Sequence, residues 1–173
     1  MNMSLEAFKT RVLPAKDKLY RFALKMLGDA DEARDVVQEV FIKVWNKRDE
    51  MHELENMEAW CMRVTRNLSL DKLKSKRRKL TDSLDQTMEI SMGESSTPYN
   101  DAEMSDAMKK VGQYIAALPE KQKQIIQLRD VEGYSYNEIC DILEIDLNQV
   151  KVNLFRARQA VRNNLLNANA YGL

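Results

Sequence analysis

One histidine, His52, stands in the whole chain, and the five glycines are scattered through it. No Ser-His-Asp or Cys-His arrangement can be built around a lone histidine, and nothing near it sits at ligand or triad spacing; it reads as a surface residue. Scattered glycines form no loop that could cradle a phosphate. No pair of carboxylates stands out from ordinary surface charge, so no enzymatic activity is expected. The two cysteines, Cys61 and Cys140, lie far apart, each on an apolar helical face. That excludes a disulfide framework and a zinc site and points to a reducing compartment. No run of eighteen apolar residues occurs, so no membrane insertion is expected. The first residues lack a basic stretch followed by an apolar one, so no secretory signal is read there. The expectation is a cytoplasmic protein without cofactor or metal.

The net charge of zero hides a segmented distribution. Residues 1–80 carry +5, residues 81–108 carry −7, and residues 109–173 carry +2. Two mildly basic blocks flank an acidic strip, which an average cannot reveal. The strip is rich in Ser, Thr, Asp and Glu, contains Gly93 and Pro98, and has little periodicity, so it reads as a flexible linker. At 81–105 its coil size is about 25–30 Å, and stretched it reaches about 80–90 Å. Two turns of B-DNA span about 70 Å, so the halves it joins could occupy separate DNA sites.

Everything else reads as helix, and the fold class is all-α: two small domains, 1–80 and 106–173, joined by that linker. Ser4 to Leu27 reads as helix from the spacing of Phe8, Val12, Leu19, Phe22, Ala23, Met26 and Leu27, with Pro14 as a kink or break and Gly28 as a C-cap. From Asp31 to Trp45 an unbroken stripe, Ala33, Val36, Val37, Val40, Phe41 and Val44, faces inward. Its far side shows Asp35, Gln38, Glu39 and Lys43. A polar loop spans Asn46 to Glu58. The next helix, Met57 to Lys74, has Trp60, Cys61, Val64 and Leu68 as its inward candidates, and a basic run continues to Lys79. In the second half, Met108, Val111, Ile115 and Leu118 are core candidates, and a helix from Pro119 to Val131 follows.

The most specific stretch is Tyr134 to Arg162. Ser135 with Glu138 and Asp146 with Gln149 are two capping-box patterns eleven residues apart. A short helix, Tyr136 to Leu143, and a turn at Glu144-Ile145-Asp146 lead into a second helix. That is a helix-turn-helix, whose second helix enters the DNA major groove. On that helix Val150, Leu154, Ala157 and Val161 fall within about 60° of one another. Lys151, Val152, Phe155, Arg156 and Gln159 project roughly opposite, and Arg158 and Arg162 flank the buried stripe.

Two stretches resemble the sigma-70 family of bacterial transcription initiation factors, in particular its small extracytoplasmic-function (ECF) group. Asp35-Val-Val-Gln-Glu-Val-Phe-Ile-Lys-Val-Trp45 is similar to the family's most recognisable helix. Leu118-Pro-Glu, Gly133-Tyr-Ser-Tyr-Asn-Glu-Ile-Cys140 and Leu154-Phe-Arg-Ala-Arg158 are similar to its C-terminal domain. The resemblance implies a factor that binds core RNA polymerase and directs promoter-specific initiation. It implies that Asp35, Gln38 and Glu39 dock on the clamp helices of the polymerase beta-prime subunit, with the beta subunit a further contact. It matches Arg63, Arg66, Asn67 and Asp71 to readers of the −10 element, and the loop 46–58 to the segment that captures a flipped base. Lys151, Val152, Phe155, Arg156 and Gln159 become −35 contacts, with Arg158 and Arg162 on phosphates. An anti-sigma factor is expected as a partner. This chain departs from the family pattern at Val152, where Ser is usual, at Asn153, where Arg is common, and at Glu144, where the turn usually has Gly. The base preference therefore does not transfer. The alternative reading is a stand-alone helix-turn-helix regulator.

Overall fold

The computed structural model describes residues 3–51, 54–83 and 105–170, all helix and turn among them. The flexible-linker reading of 84–104 and the surface reading of His52 lie outside the described residues. The chain divides into two compact units, one ending at Thr97 and the other beginning at Pro98.

In the first unit Pro14 splits rather than kinks its helix. α1 (Leu5–Arg11) and α2 (Lys16–Leu27) are joined by a 3₁₀ turn, Leu13–Ala15. Proline lacks an N–H, and here it opens that turn, where no hydrogen bond is lost. α2 ends on Gly28 at φ 69°, a left-handed cap that glycine adopts without a Cβ penalty. Asp29 then starts α3 (Ala30–Asn46) by accepting from the N–H groups of Asp31 and Glu32. Those hydrogen bonds, chiefly the one from Glu32, hold its carboxyl below the usual carboxylate range. Ala33, Val36, Val37, Val40 and Val44 are buried as their spacing required. α3 packs on α2, whose buried side chains are Leu19, Phe22, Ala23, Met26 and Leu27.

The polar loop contains a one-turn helix, α4 (Arg48–Met51). After it comes α5 (Met57–Ser83), nine residues longer than its apolar pattern. Asn56 caps it, accepting from the Ala59 N–H at 2.9 Å. Its packed face differs from the expected one. Met57, Ala59, Cys61, Met62, Thr65 and Ser69 are buried, while Trp60, Val64 and Leu68 are half-buried. The inner stripe runs through two small hydroxyl residues, which let α5 approach α2 and α3 closely. Thr65 bonds its own backbone, its hydroxyl donating to the Cys61 carbonyl at 2.8 Å. Hydropathy alone weights Trp60 over Ser69, and the fit between helices decides otherwise. Lys18 to Glu58 (2.9 Å) and Lys76 to Glu32 (2.6 Å) tie α5 to the other two helices.

The second unit is organised on its last helix. α6 (Asp106–Ala116), α7 (Glu120–Ile126), α8 (Tyr136–Leu143) and α9 (Leu147–Ala170) all contribute, and α6, α7 and α8 each pack on α9. Val150, Leu154, Ala157 and Val161 are its buried stripe, and Ile125, Leu128, Ile139 and Ile142 are buried in the elements before it. Burying each aliphatic side chain stabilises by about 1.5–3 kcal/mol. Met108 is a core candidate that the fold does not bury. It is 55% exposed, Val111 and Ile115 are half-buried, and of the four candidates only Leu118 is fully buried.

Between α7 and α8 the helix widens into a π segment, Gln127–Val131, with the Glu132 N–H donating to the Gln127 carbonyl at 3.0 Å. The insertion rotates Arg129 and Asp130 away from where a straight helix would point them. Gly133 closes the turn at φ 80°. α8 carries a complete capping box between Ser135 and Glu138. The second expected box is only half formed. Asp146 accepts from the Gln149 N–H at 2.7 Å, while the Gln149 side chain accepts from Lys121 at 3.4 Å.

Candidate nucleic-acid and docking surfaces

Because α9 buries one stripe, its opposite side is fixed as a surface. Lys151, Val152, Phe155, Arg156 and Gln159 all face solvent, and Phe155 is 66% exposed. A phenylalanine that bare contributes little to the fold. The row is bordered by two shallow depressions. One, of about 390 Å³, is lined by Arg129, Ser135, Tyr136, Asn137, Leu147 and Lys151. The other, of about 250 Å³, is lined by Phe155, Arg158, Gln159 and Arg162.

The flanking arginines differ. Arg162 is exposed. Arg158 makes a two-pronged pair with Asp130, Nε to Oδ2 at 2.9 Å and Nη2 to Oδ1 at 2.6 Å. That hydrogen bonding holds the guanidinium's pKa above its ordinary value. Beside the pair, the Arg129 guanidinium lies 4.8 Å over the Tyr136 ring and donates to the Tyr134 carbonyl at 2.8 Å. The π segment thus grips α9 through Asp130 and the start of α8 through Arg129. Sequence periodicity gave no sign of this network, because an unbroken helix would direct both residues elsewhere. Asn153 is likewise occupied, donating to the Gln149 carbonyl at 2.8 Å.

On α5 the buried stripe again defines the free side. Asn67 and Asp71 are exposed, and Trp60, Arg63 and Arg66 are half-buried at its edge. Arg66 bonds Asn67 at 3.3 Å and keeps its Nε without a partner among the described residues. Trp60, Asn67, Asp71, Lys74 and Arg78 share one helical face, along about 27 Å of axis.

On α3 Asp35, Gln38 and Glu39 are exposed, and no described residue pairs with either carboxylate. Amid them sits Ile42, 59% exposed. The sequence reading left Ile42 out; seven residues after Asp35 means about 20° away on the wheel. Neither thiol belongs to any of these surfaces. Burial pushes the Cys61 thiol up to about 12, and desolvation also raises that of Cys140.

Two family models match the chain, Sigma-70 region 2 over residues 13–79 and Sigma-70, region 4 over residues 108–161. The chain is 32% identical to the ECF RNA polymerase sigma factor SigW of Bacillus subtilis, covering 92% of this chain and 89% of that one. The chain belongs to the sigma-70 family. It is an ECF RNA polymerase sigma factor, a transcription initiation factor and not an enzyme. The ECF sigma factor SigE of Mycolicibacterium smegmatis is 29% identical over 86% of this chain, which spans 58% of that longer relative. A solved structure of the sigma factor RpoE in complex with the anti-sigma factor NepR from Bartonella quintana superposes with a TM-score of 0.72. It is 25% identical and covers 93% of this sigma factor and 98% of its own chain. Among the described residues no helix is long and apolar enough to cross a membrane.

Proposed function

We propose that this sigma factor divides its work between the two units. The outer face of α3 docks on the beta-prime clamp helices of core polymerase. Asp35 and Glu39 supply charge complementary to basic helices, Gln38 a neutral polar contact, and Ile42 an apolar anchor among them. The face of α5 with Arg63, Arg66, Asn67 and Asp71 reads the −10 element, and the connection 46–58 captures a base as the strands part. Extracting a base costs on the order of a few kcal/mol, which a receiving pocket must offset. This functional half is residues 1–80, and the helix that carries its −10 face runs on to Ser83. The second half, 106–173, contacts the beta subunit and the −35 element.

The observation that carries the reading is the bare row on α9. Lys151, Val152, Phe155, Arg156 and Gln159 are free because the fold uses the other side of the same helix. Arg162 remains the phosphate candidate. Arg158, already bound to Asp130, is assigned to holding α9 in place. The RpoE structure is a complex with an anti-sigma factor, and a partner of that kind is proposed here. A cytoplasmic location follows from the need to reach polymerase and chromosome.

The test is run-off transcription with purified core enzyme on genomic fragments. Lys151→Ala with Arg156→Ala is expected to cut initiation at −35-dependent promoters at least tenfold, since each base contact is worth about 1–3 kcal/mol. Unchanged transcription would refute the assignment.

A further inference from the structure

Residues 3–12 precede the stretch matched by the region 2 model, and the helix they form is hard to explain as core. α1 is seven residues long and has no fully buried side chain. A helix that short is not stable alone. Its contacts, however, converge on one place. The Met3 N–H donates to the Arg48 carbonyl at 3.3 Å, and Met3 itself is 4% exposed. The Phe8 ring stands edge-on to Trp45 at 5.7 Å and to Phe41 at 6.0 Å. Arg11 reaches across and donates to the Leu54 carbonyl at 3.0 Å. Arg48 in turn stacks 4.7 Å over Trp45 and donates to its carbonyl at 2.9 Å. The α1 segment therefore holds the end of α3, the start of the connection to α5 at Arg48, and its far side at Leu54.

We propose that α1 is a brace for the connection between α3 and α5, and that Phe8 and Arg11 are positioning residues for promoter opening. The inference rests on the reading of that connection as the base-capturing segment. Each loop residue held in one conformation costs about 1–2 kcal/mol of backbone entropy. A segment that must receive a flipped base gains if that cost is met before DNA arrives. Within the described part, 47–51 and 54–56, the Glu50 and Met51 N–H groups donate to the Lys47 carbonyl and the Leu54 N–H to that of Met51. The clasp at Arg48 comes from Met3, just before α1, and the one at Leu54 from Arg11 at its end. Phe8 packs on Phe41 and Trp45 at the end of α3 and Arg11 bonds the Leu54 carbonyl, and neither bonds Asp35, Gln38 or Glu39, so the brace is read as acting on opening rather than on docking.

The experiment compares two templates with the full chain and core polymerase. One is a duplex promoter; the other is the same promoter with the −10 region held open by mismatches. Phe8→Ala with Arg11→Ala is expected to lower run-off from the duplex about tenfold, the worth of one aromatic pair and one hydrogen bond. It is expected to keep core affinity and to recover to within about twofold on the pre-opened template. Arg11→Lys, which retains a donor for the Leu54 carbonyl, is expected to restore most of the loss in the Phe8-intact chain. Equal loss on both templates would overturn the proposal and leave α1 a merely structural or docking element, as would no loss on either. A second variant separates the two readings. Replacing residues 48–51 with a Gly-Ser run is expected to give the same template-dependent defect. If that replacement leaves duplex opening intact, the capture reading fails and takes the brace with it. If it is defective while Phe8→Ala with Arg11→Ala is normal, only the brace is wrong.

Discussion

Glu144 is the described residue other than glycine that adopts a positive φ, at 56° with ψ 47°. It is the C-cap of α8 and the first residue of the turn that aims α9. Its N–H and that of Ile145 both reach the Cys140 carbonyl, so the geometry is required to close the helix. A side chain in this region costs about 1–2 kcal/mol. Glycine removes that cost but returns roughly 0.4–1 kcal/mol as extra freedom in the unfolded chain. A carboxylate at a helix C-terminus adds an unfavourable term of about 0.3–1 kcal/mol at an exposed site. Glu144→Gly is therefore expected to stabilise the second unit by about 1–2 kcal/mol. Native-state hydrogen exchange on the full chain reads this at the amides of Leu154 and Ala157, buried at 2% and 0% exposure in the middle of α9. They should exchange roughly 5–30 times more slowly. Glu144→Gln separates the causes, since it removes the charge and keeps the strain, and should give less than half the effect. No slowing with glycine, or the whole effect with glutamine, would refute the backbone argument.

Two further outcomes follow from α5. Lys74→Gln with Arg78→Gln is expected to weaken promoter binding by the holoenzyme evenly across sequences. It should also reduce the salt dependence by close to two units of log–log slope, while leaving the choice of promoter intact; a changed choice with an unchanged slope would contradict a phosphate role. Cys61, fully buried, holds its proton from 9.0 up to about 12 in the folded chain. Its contribution to stability is therefore complete below about pH 9 and is lost as the pH rises toward 12, because the unfolded thiol ionises first. Denaturant melts of the full chain across that range should show a decline of the first unit that Cys61→Ala lessens.

Helix existence and the buried stripe of α9 were legible because 3.6-residue spacing is a strong signal over three or more turns. Val150, Leu154, Ala157 and Val161 are buried, and the α8 boundaries agree to the residue. What escaped the pattern has physical causes. The inner face of α5 turns on Thr65 and Ser69, whose value is their size and not their hydropathy. Met108 has the right spacing but lies in the first turn of α6, a helix with no fully buried side chain. The π segment at 127–131 depends on tertiary contacts, the Asp130–Arg158 pair and the Arg129–Tyr136 stack, that no local sequence signal encodes. Ile42 was missed for another reason. An isoleucine among acids reads as noise on a polar face until the fold leaves it at 59% exposure.

The division of α9 bears on how promoter choice can vary while the fold persists. The residues that hold the helix, Val150, Leu154, Ala157 and Val161, share no position with the bare row Lys151, Val152, Phe155, Arg156 and Gln159. Surface substitutions away from packed features usually change stability by less than about 0.5 kcal/mol. The row is therefore free to change, and in this chain it has changed. At Val152 a methyl-bearing side chain stands where the family usually has a hydroxyl. It offers apolar contact, suited to a thymine methyl, and no hydrogen bond to a base edge. At Asn153 the amide is turned onto the Gln149 carbonyl, which on the proposed reading takes it from the DNA side. On the proposed reading, polar and aromatic recognition then falls to Lys151, Phe155, Arg156 and Gln159, two of them cationic and one aromatic, beside the apolar contact of Val152. The Asp130–Arg158 pair matters to this economy for a different reason. A row proposed to read DNA specifies a sequence only if its helix is fixed, and the π segment supplies a fixed point on α9 beside Phe155 and Gln159.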